Sequence, residues 1–156
     1  MSRPVVEIRP VEPGDIDELA CYMRTVDRAE CEAAGFDVEH ALAQSIANAH
    51  FTRTVLIDGK LAGIGGCNKH PVSTLLAPMG VPWLLGTDVL TRHPRVLQRE
   101  ARRYIAAMLE VYPHLFNIVH ADNHVTIRWL KRLGFAIHAP FRLPTGALFY
   151  WFNLRA

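Results

Sequence analysis

Apolar and polar residues alternate along the chain in a way that divides it into short strands and amphipathic helices. Val5, Val6 and Ile8 make a brief β-type run that stops at Arg9-Pro10. Glu12-Pro13-Gly14-Asp15 reads as a turn into a helix, with Asp15 as N-cap and Glu18 completing a capping-box pattern. Ile16, Leu19, Ala20 and Met23 supply the helical stripe, and Gly35 ends that region. A second helix is predicted over 38–49, with Leu42, Ile46 and Ala49 on one side. Residues 52–57 and 61–67 read as strands joined by Asp58-Gly59, the best short hairpin signal in the chain. A polar loop over 68–80 leads to a strand over 81–87. The strongest amphipathic helix follows over Pro94–Val111, with Pro94 in its first turn, where a missing N–H costs nothing. Leu97, Ala101, Tyr104, Ile105, Met108 and Leu109 form its apolar face. A strand over 115–120 and a helix over 123–133 come next, the helix closed by Gly134. Residues 135–138 and 147–153 read as a terminal strand pair around Pro144-Thr145-Gly146.

The order is therefore β-α-α-β-β-β-α-β-α-β-β. It predicts an α/β (α+β) mixed sheet of about seven strands with helices on both faces. Trp83, Trp129 and Trp151 fall at inward positions and read as core.

Composition narrows the picture. The chain has 156 residues, is half hydrophobic and carries a net charge of +2, which suits one folded domain over 1–156 and excludes disorder. The three cysteines, Cys21, Cys31 and Cys67, are odd in number and lack C-x-x-C spacing, so reduced thiols in a cytoplasmic protein are expected. No signal-like start and no run approaching the roughly 20 apolar residues of a membrane span is present, so no membrane partner is expected. The near-neutral total also argues against a dedicated nucleic-acid binder. It hides an asymmetry, however. Residues 1–88 hold 7 Lys/Arg against 12 Asp/Glu, net −5, and residues 89–156 hold 10 against 3, net +7.

The element order, together with Asn123 followed by Gly134-Phe135 at the end of one helix, resembles the GNAT superfamily of acyl-CoA-dependent N-acyltransferases. A narrower resemblance rests on Thr87-Asp88, His93-Pro94, Leu97-Gln98-Arg99-Glu100-Ala101-Arg102, Tyr112-Pro113 and Ile127-Arg128-Trp129-Leu130. These look like the small GNAT-like proteins of tailed phages, which include an internal virion protein of short-tailed phages. The superfamily resemblance implies acetyl-CoA as cofactor and a small-molecule or protein amine as acceptor. The phage resemblance implies a virion or host protein as partner, in the host cytoplasm or the particle.

Two departures from the superfamily pattern stand beside these matches. The superfamily's cofactor loop is Gln/Arg-x-x-Gly-x-Gly/Ala, whose glycines let backbone N–H groups approach the CoA pyrophosphate. The corresponding stretch here is Val89-Leu90-Thr91-Arg92-His93-Pro94-Arg95-Val96-Leu97, which has no glycine. Arg92, His93 and Arg95 can offer side-chain charge to a phosphate in its place, and Val89, Leu90 and Val96 are carried over as cofactor-contacting positions. The second departure is Leu130, where many members carry a tyrosine that protonates the leaving thiolate. Two expectations remain open: an N-acetyltransferase with a degenerate cofactor loop, and a non-catalytic phage particle protein that uses the fold for protein contacts.

An acyltransferase needs a base for the attacking amine and donors for the oxyanion. Asp88, at the end of the fourth predicted strand, reads as a catalytic carboxylate or as a turn residue or N-cap. His120 closes the fifth predicted strand and reads as a proton-transfer group or as a hydrogen-bonded structural residue. Asn123 reads as an N-cap, and the resemblance adds a contact to the pantetheine arm. His120 and His124 straddle a strand-to-helix junction, so no metal site is expected. Cys67 reads as a buried inert thiol, and Gly63, Gly65 and Gly66 as close backbone packing within a strand. The arginines at 92, 95, 99, 102 and 103, with Arg128, Lys131 and Arg132, read as a solvated basic face or an anion-attracting one.

Overall fold

The computed structural model describes residues 2–156. Among them seven strands form one sheet in the order β1-β2-β3-β4-β5-β7-β6: β1 (Val6–Arg9), β2 (Arg53–Ile57), β3 (Lys60–Lys69), β4 (Met79–Gly86), β5 (His114–His120), β6 (Ala136–Arg142) and β7 (Leu148–Arg155). Every neighbouring pair is antiparallel except β4 and β5. Helices α1 (Asp15–Tyr22), α2 (Thr25–Ala33) and α3 (Val38–Asn48) lie between β1 and β2. Helices α4 (Asp88–Arg92) and α5 (Pro94–Val111) join β4 to β5, and α6 (His124–Arg132) joins β5 to β6. The mixed sheet and its helices match the sequence expectation closely.

The two faces of the sheet carry separate cores. On one, Leu19, Met23, Val38 and Leu42 of the α1–α3 segment pack against Leu61 and Ile64 of β3. On the other, Met108 and Leu130 of α5 and α6 pack against Leu115, Val119 and Phe152, while Leu90 of α4 packs against Ile57 and Ala62. Leu61 and Ala62 are adjacent and serve opposite faces, as a pleated strand requires. Leu61 and Ile64 are three apart yet share a face. The β2–β3 register shifts between Val55 and Leu56, so Val55 faces Gly63 while Leu56 faces Leu61. Ala62 is thus the extra residue of a bulge.

The structure corrects several local expectations. Asp15 is not the N-cap of α1. Gly14 holds that position at φ 92°, and no side chain caps the helix there. The Asp15 carboxylate is drawn instead into a buried node, where it accepts from Arg9 (2.8 and 3.0 Å), the Glu12 N–H (2.7 Å) and the Thr54 hydroxyl (2.8 Å). Burial alone would raise its pKa, but these donors outweigh it and hold the carboxyl below its usual range. The helical region read across 15–34 breaks at Met23 and Arg24, which turn extended. Met23 bridges Thr87, and the Arg24 N–H donates to the Gly86 carbonyl at 2.8 Å, so the break caps the end of β4. The loop read over 68–80 is shorter than expected, because β3 runs to Lys69 and β4 starts at Met79. Trp151 is 44% exposed rather than core.

Candidate functional site

The site begins where the sheet fails to pair. β4 and β5 share register only at Met79–His114 and Gly80–Leu115, whereas β5 pairs with β7 along its whole length from His114 to His120. Beyond Gly80 the two strands part, and the backbone groups lost to the ladder must find other partners. Asn117 supplies two of them. Its Nδ2 donates to the Pro82 carbonyl at 2.8 Å, and its Oδ1 accepts the Ile118 N–H at 2.8 Å. A cavity of about 2210 Å³ passes the split. It is lined by Glu30, His40 and Gln44 on the α2–α3 side and by Arg95, Arg99 and Trp129 on the α5–α6 side.

Helix α2 closes the wide end of the split with two acidic residues one turn apart. Asp27 accepts the Gly86 N–H at the end of β4 (2.8 Å) and is held by Arg24 through two 2.9 Å bonds. Glu30 accepts the His120 N–H at the end of β5 (3.0 Å) and the Asn123 amide Nδ2 (2.7 Å). The Thr145 hydroxyl, in the β6–β7 turn, donates to the Ala33 carbonyl (2.7 Å) and anchors the far end of α2. Burial pushes the Glu30 carboxyl above the usual carboxylate range, only partly opposed by the bonds from Asn123 and His120. Glu30 is therefore a lined-up, cavity-facing carboxylate that sequence reasoning missed. The visible signal was slight: Asp27 and Glu30 sit in a short helix whose other acidic residue, Glu32, is exposed.

The sequence-derived candidates are only partly gathered here. Leu90, Arg95 and Val96 line the cavity, whereas Asp88, Val89, Arg92, His93, His120 and Asn123 are not among its lining residues. Asp88 is exposed in the first turn of α4. His120 Nδ1 accepts the Asp122 N–H at 3.2 Å, so a neutral ring carries its proton on Nε2 and presents a donor there rather than a lone pair. Asn123 caps α6 through the Thr126 N–H (3.3 Å), as read from the sequence, while its amide nitrogen is committed to Glu30. Leu130 is buried in the α5–α6 core. Cys67 is also buried, and its thiol is pushed up to about 12 by desolvation, which fits an inert role. Among the described residues no group of three or more His, Cys, Asp or Glu is placed to hold a metal. No helix there is long and apolar enough to cross a membrane.

The turn from β4 into α5 offers few backbone donors to an anion. The Val89 N–H bonds the Thr87 hydroxyl, the Leu90 N–H bonds the Thr87 carbonyl, and the His93 N–H bonds the Leu90 carbonyl. Pro94 has no N–H to give. The Arg95 and Val96 N–H groups in the first turn of α5 have no partner among the described residues, so two backbone donors remain there. The cavity's α5–α6 wall carries Arg95, Arg99, Arg102, Arg128 and Arg132.

Comparison with solved structures places this architecture. The GNAT-family acetyltransferase from Bacillus anthracis superposes with a TM-score of 0.71 at 12% identity, covering 96% of this chain and 94% of that one. Ard1 from Thermoplasma volcanium gives a TM-score of 0.68 at 17% identity, covering 97% of each chain. The ribosomal-protein-S18-alanine N-acetyltransferase from Escherichia coli gives 0.64 at 18% identity, covering 97% of this chain and 94% of that one. The chain thus has the fold of the GNAT acetyltransferases. No protein-family model matches it, and no curated protein matches it by sequence.

Proposed function

We propose that the protein is an acetyl-CoA-dependent N-acetyltransferase with a degenerate cofactor loop, acting on a small-molecule or protein amine. The observation that carries this reading is the parting of β4 and β5 beyond Gly80 into a cavity reached from both faces of the sheet. An acetyl-CoA bound there supplies an activated acetyl group as a thioester. The α5–α6 side would hold it, with Arg95, Leu90 and Val96 along the wall. The acceptor amine then enters from the α2–α3 side.

Glu30 is the group this reading assigns to the amine proton. Each carboxylate oxygen accepts one N–H and keeps a second lone pair free. Its raised pKa makes it a stronger base than an exposed carboxylate. His120 meets Glu30 through its backbone N–H alone, and its ring packs edge-on against Phe149. Asp88 is the comparison residue, exposed and away from the cavity. Calorimetry tests the reading directly: acetyl-CoA at millimolar concentration should give saturable heat, and its absence sinks the proposal.

A second reading is favoured by Leu130, a buried side chain that cannot protonate a leaving thiolate. In it the fold is non-catalytic and works through contacts with a virion or host protein, in keeping with the phage-like motifs. Acetylation of any amine by the purified protein, together with its absence from purified particles, would remove that reading.

A further inference from the structure

The α2–α3 side of the cavity has the opposite character from its basic wall. A pleated strand turns alternate side chains to opposite faces. On β5, Leu115 and Val119 join the α5–α6 core, so Phe116 and Ile118 face the α2–α3 side. On β4, Leu84 packs against the core that holds Leu90, while Trp83 and Leu85 pack against the α1–α3 core. Phe116, Ile118, Trp83 and Leu85 all line the cavity, and so does Phe36 of the α2–α3 turn, which is 59% exposed. Trp83 is fixed in place. Its register partner is Gly66, where a Cβ would stand 3.0 Å from the indole, so the ring lies over β3 where no side chain intervenes. The indole N–H donates to Asn68 Oδ1 at 2.7 Å, and Asn68 Nδ2 donates to the Ser45 carbonyl at 3.2 Å. The one polar atom of the ring is thereby satisfied within the protein, and what remains for a ligand is apolar surface.

Charge on this side is acidic. Glu30 keeps a free lone pair on each carboxylate oxygen, and Asp37 is exposed at the start of α3. Arg24 borders the cavity too, but two 2.9 Å bonds commit it to Asp27. Arg53 and Lys69 stand opposite Gly65 and Gly80, whose Cβ directions meet the Leu84 side chain and the Tyr112 ring on the α5 side of the sheet. Among the described residues, then, no lysine or arginine free of an acidic partner faces the α2–α3 side of the cavity, and His40 and His70 are the remaining basic groups there. A ligand's carboxylate would lose its water there and find no fixed cation to replace it. An amine meets Glu30, and an aromatic ring meets Trp83 and Phe116.

We propose that the acceptor is a small apolar primary amine of the arylalkylamine class, whose ring packs against Trp83, Phe116 and Phe36 while its nitrogen reaches Glu30, and that the lack of an unpaired cation excludes amino acids. This rests on the acetyl-CoA reading for the transfer, but not for the binding of the amine. In the transfer the amine nitrogen bonds the acetyl carbonyl carbon and the C–S bond breaks. The nitrogen's surplus proton passes to Glu30 and on to water, and the departing thiolate takes a proton from water. The products are the N-acetylamine and the free CoA thiol.

The test compares 2-phenylethylamine with propylamine, which lacks the ring, with phenylalanine, which adds a carboxylate, and with a tetra-alanine peptide. It is run at about pH 8.5, where an ordinary histidine is neutral. Mass spectrometry reads the acetylated product, and calorimetry reads amine binding to the protein alone and saturated with CoA. 2-Phenylethylamine should exceed each of the others in kcat/KM by about tenfold or more, as burying a ring and stranding no carboxylate require. Phe36→Ala and Trp83→Leu should each raise KM for 2-phenylethylamine about three- to tenfold and narrow its lead over propylamine. Phe36→Ala falls on an exposed side chain, so it carries the test if Trp83→Leu fails to melt cooperatively. Gln44→Arg, which adds a cation to the α3 wall, should raise kcat/KM for phenylalanine. Propylamine, phenylalanine or the peptide matching 2-phenylethylamine overturns the proposal while leaving the acetyl-CoA reading intact, as does saturable heat with acetyl-CoA and none with 2-phenylethylamine. If 2-phenylethylamine binds, and more weakly in Phe36→Ala, while acetyl-CoA does not bind, the amine site stands and the acetyl-CoA reading falls. Failure of both ligands to bind overturns both.

Discussion

Replacing Glu30 by Gln separates a base from a structural strut. The native carboxylate accepts two N–H groups, from His120 at 3.0 Å and from Asn123 at 2.7 Å. An amide has one oxygen and one NH2, so one of those donors must face another donor. The loss is about 1–3 kcal/mol of stability, because a buried donor is left unpaired. The sign with pH follows from burial, which raises the Glu30 pKa in the fold above its unfolded value. The proton on Glu30 then stabilises the fold fully below the unfolded pKa, and this contribution is lost as pH rises through the folded pKa. The Glu30→Gln variant has no such dependence, so its stability deficit should be largest in acid and shrink toward neutral pH. Catalysis should behave differently. In wild type the rate rises as Glu30 ionises, which gives kcat/KM an acid limb above the usual carboxylate range. A general base contributes about 10²- to 10⁴-fold. Glu30→Gln should lose that much in kcat/KM and lose the limb, measured where urea unfolding shows the variant fully folded. An unchanged limb with kcat/KM within about twofold of wild type would refute the assignment, and Asp88→Asn and His120→Gln would then be compared.

The Asp15 node should matter to stability rather than chemistry. Asp15→Ala strands the Thr54 hydroxyl, which is 0% exposed, and the Glu12 N–H, and should cost about 2–4 kcal/mol in urea unfolding. Because the folded pKa of Asp15 is lowered, wild type should lose this advantage as pH falls through that pKa, whereas the variant should not. Gly80→Ala places a Cβ 2.7 Å from both Cys67 Sγ and the Tyr112 ring, at the last paired position of β4 and β5. It should destabilise by about 1–3 kcal/mol, read as a lower melting temperature. Thiol labelling at mildly alkaline pH should modify exposed Cys21 first, with Cys31, pushed up to about 11, and Cys67, pushed up to about 12, reacting only on unfolding.

What the sequence made legible follows from where its signals are local. The Asp58-Gly59 hairpin forms with both residues at positive φ, 51° and 75°, because the dipeptide itself selects that turn. Helix α5 spans Pro94–Val111 as read, since Pro94 and an uninterrupted apolar stripe fix both its start and its face. Helix α6 ends at Gly134, φ 98°, with the Phe135 N–H returning to the Leu130 carbonyl. The parts that were not legible depend on residues far apart in the chain. Asp15 looks like an N-cap until Thr54, 39 residues on, competes for its carboxylate. Met23 and Arg24 look helical until the end of β4 offers them strand partners. Glu30 stands 90 residues from His120 and 93 from Asn123, so no local spacing could mark it as the carboxylate that spans the split. The same distance explains its chemistry. Helix α2, inserted before β2, reaches the ends of β4 and β5 at once, through Asp27 and Glu30. It thereby places a half-buried acid between the ends of the two parted strands without interrupting either of them. The acidic first half and the basic second half of the chain are in this sense one arrangement: the segment carrying Glu30 and the helices carrying the arginines line one cavity from its two sides.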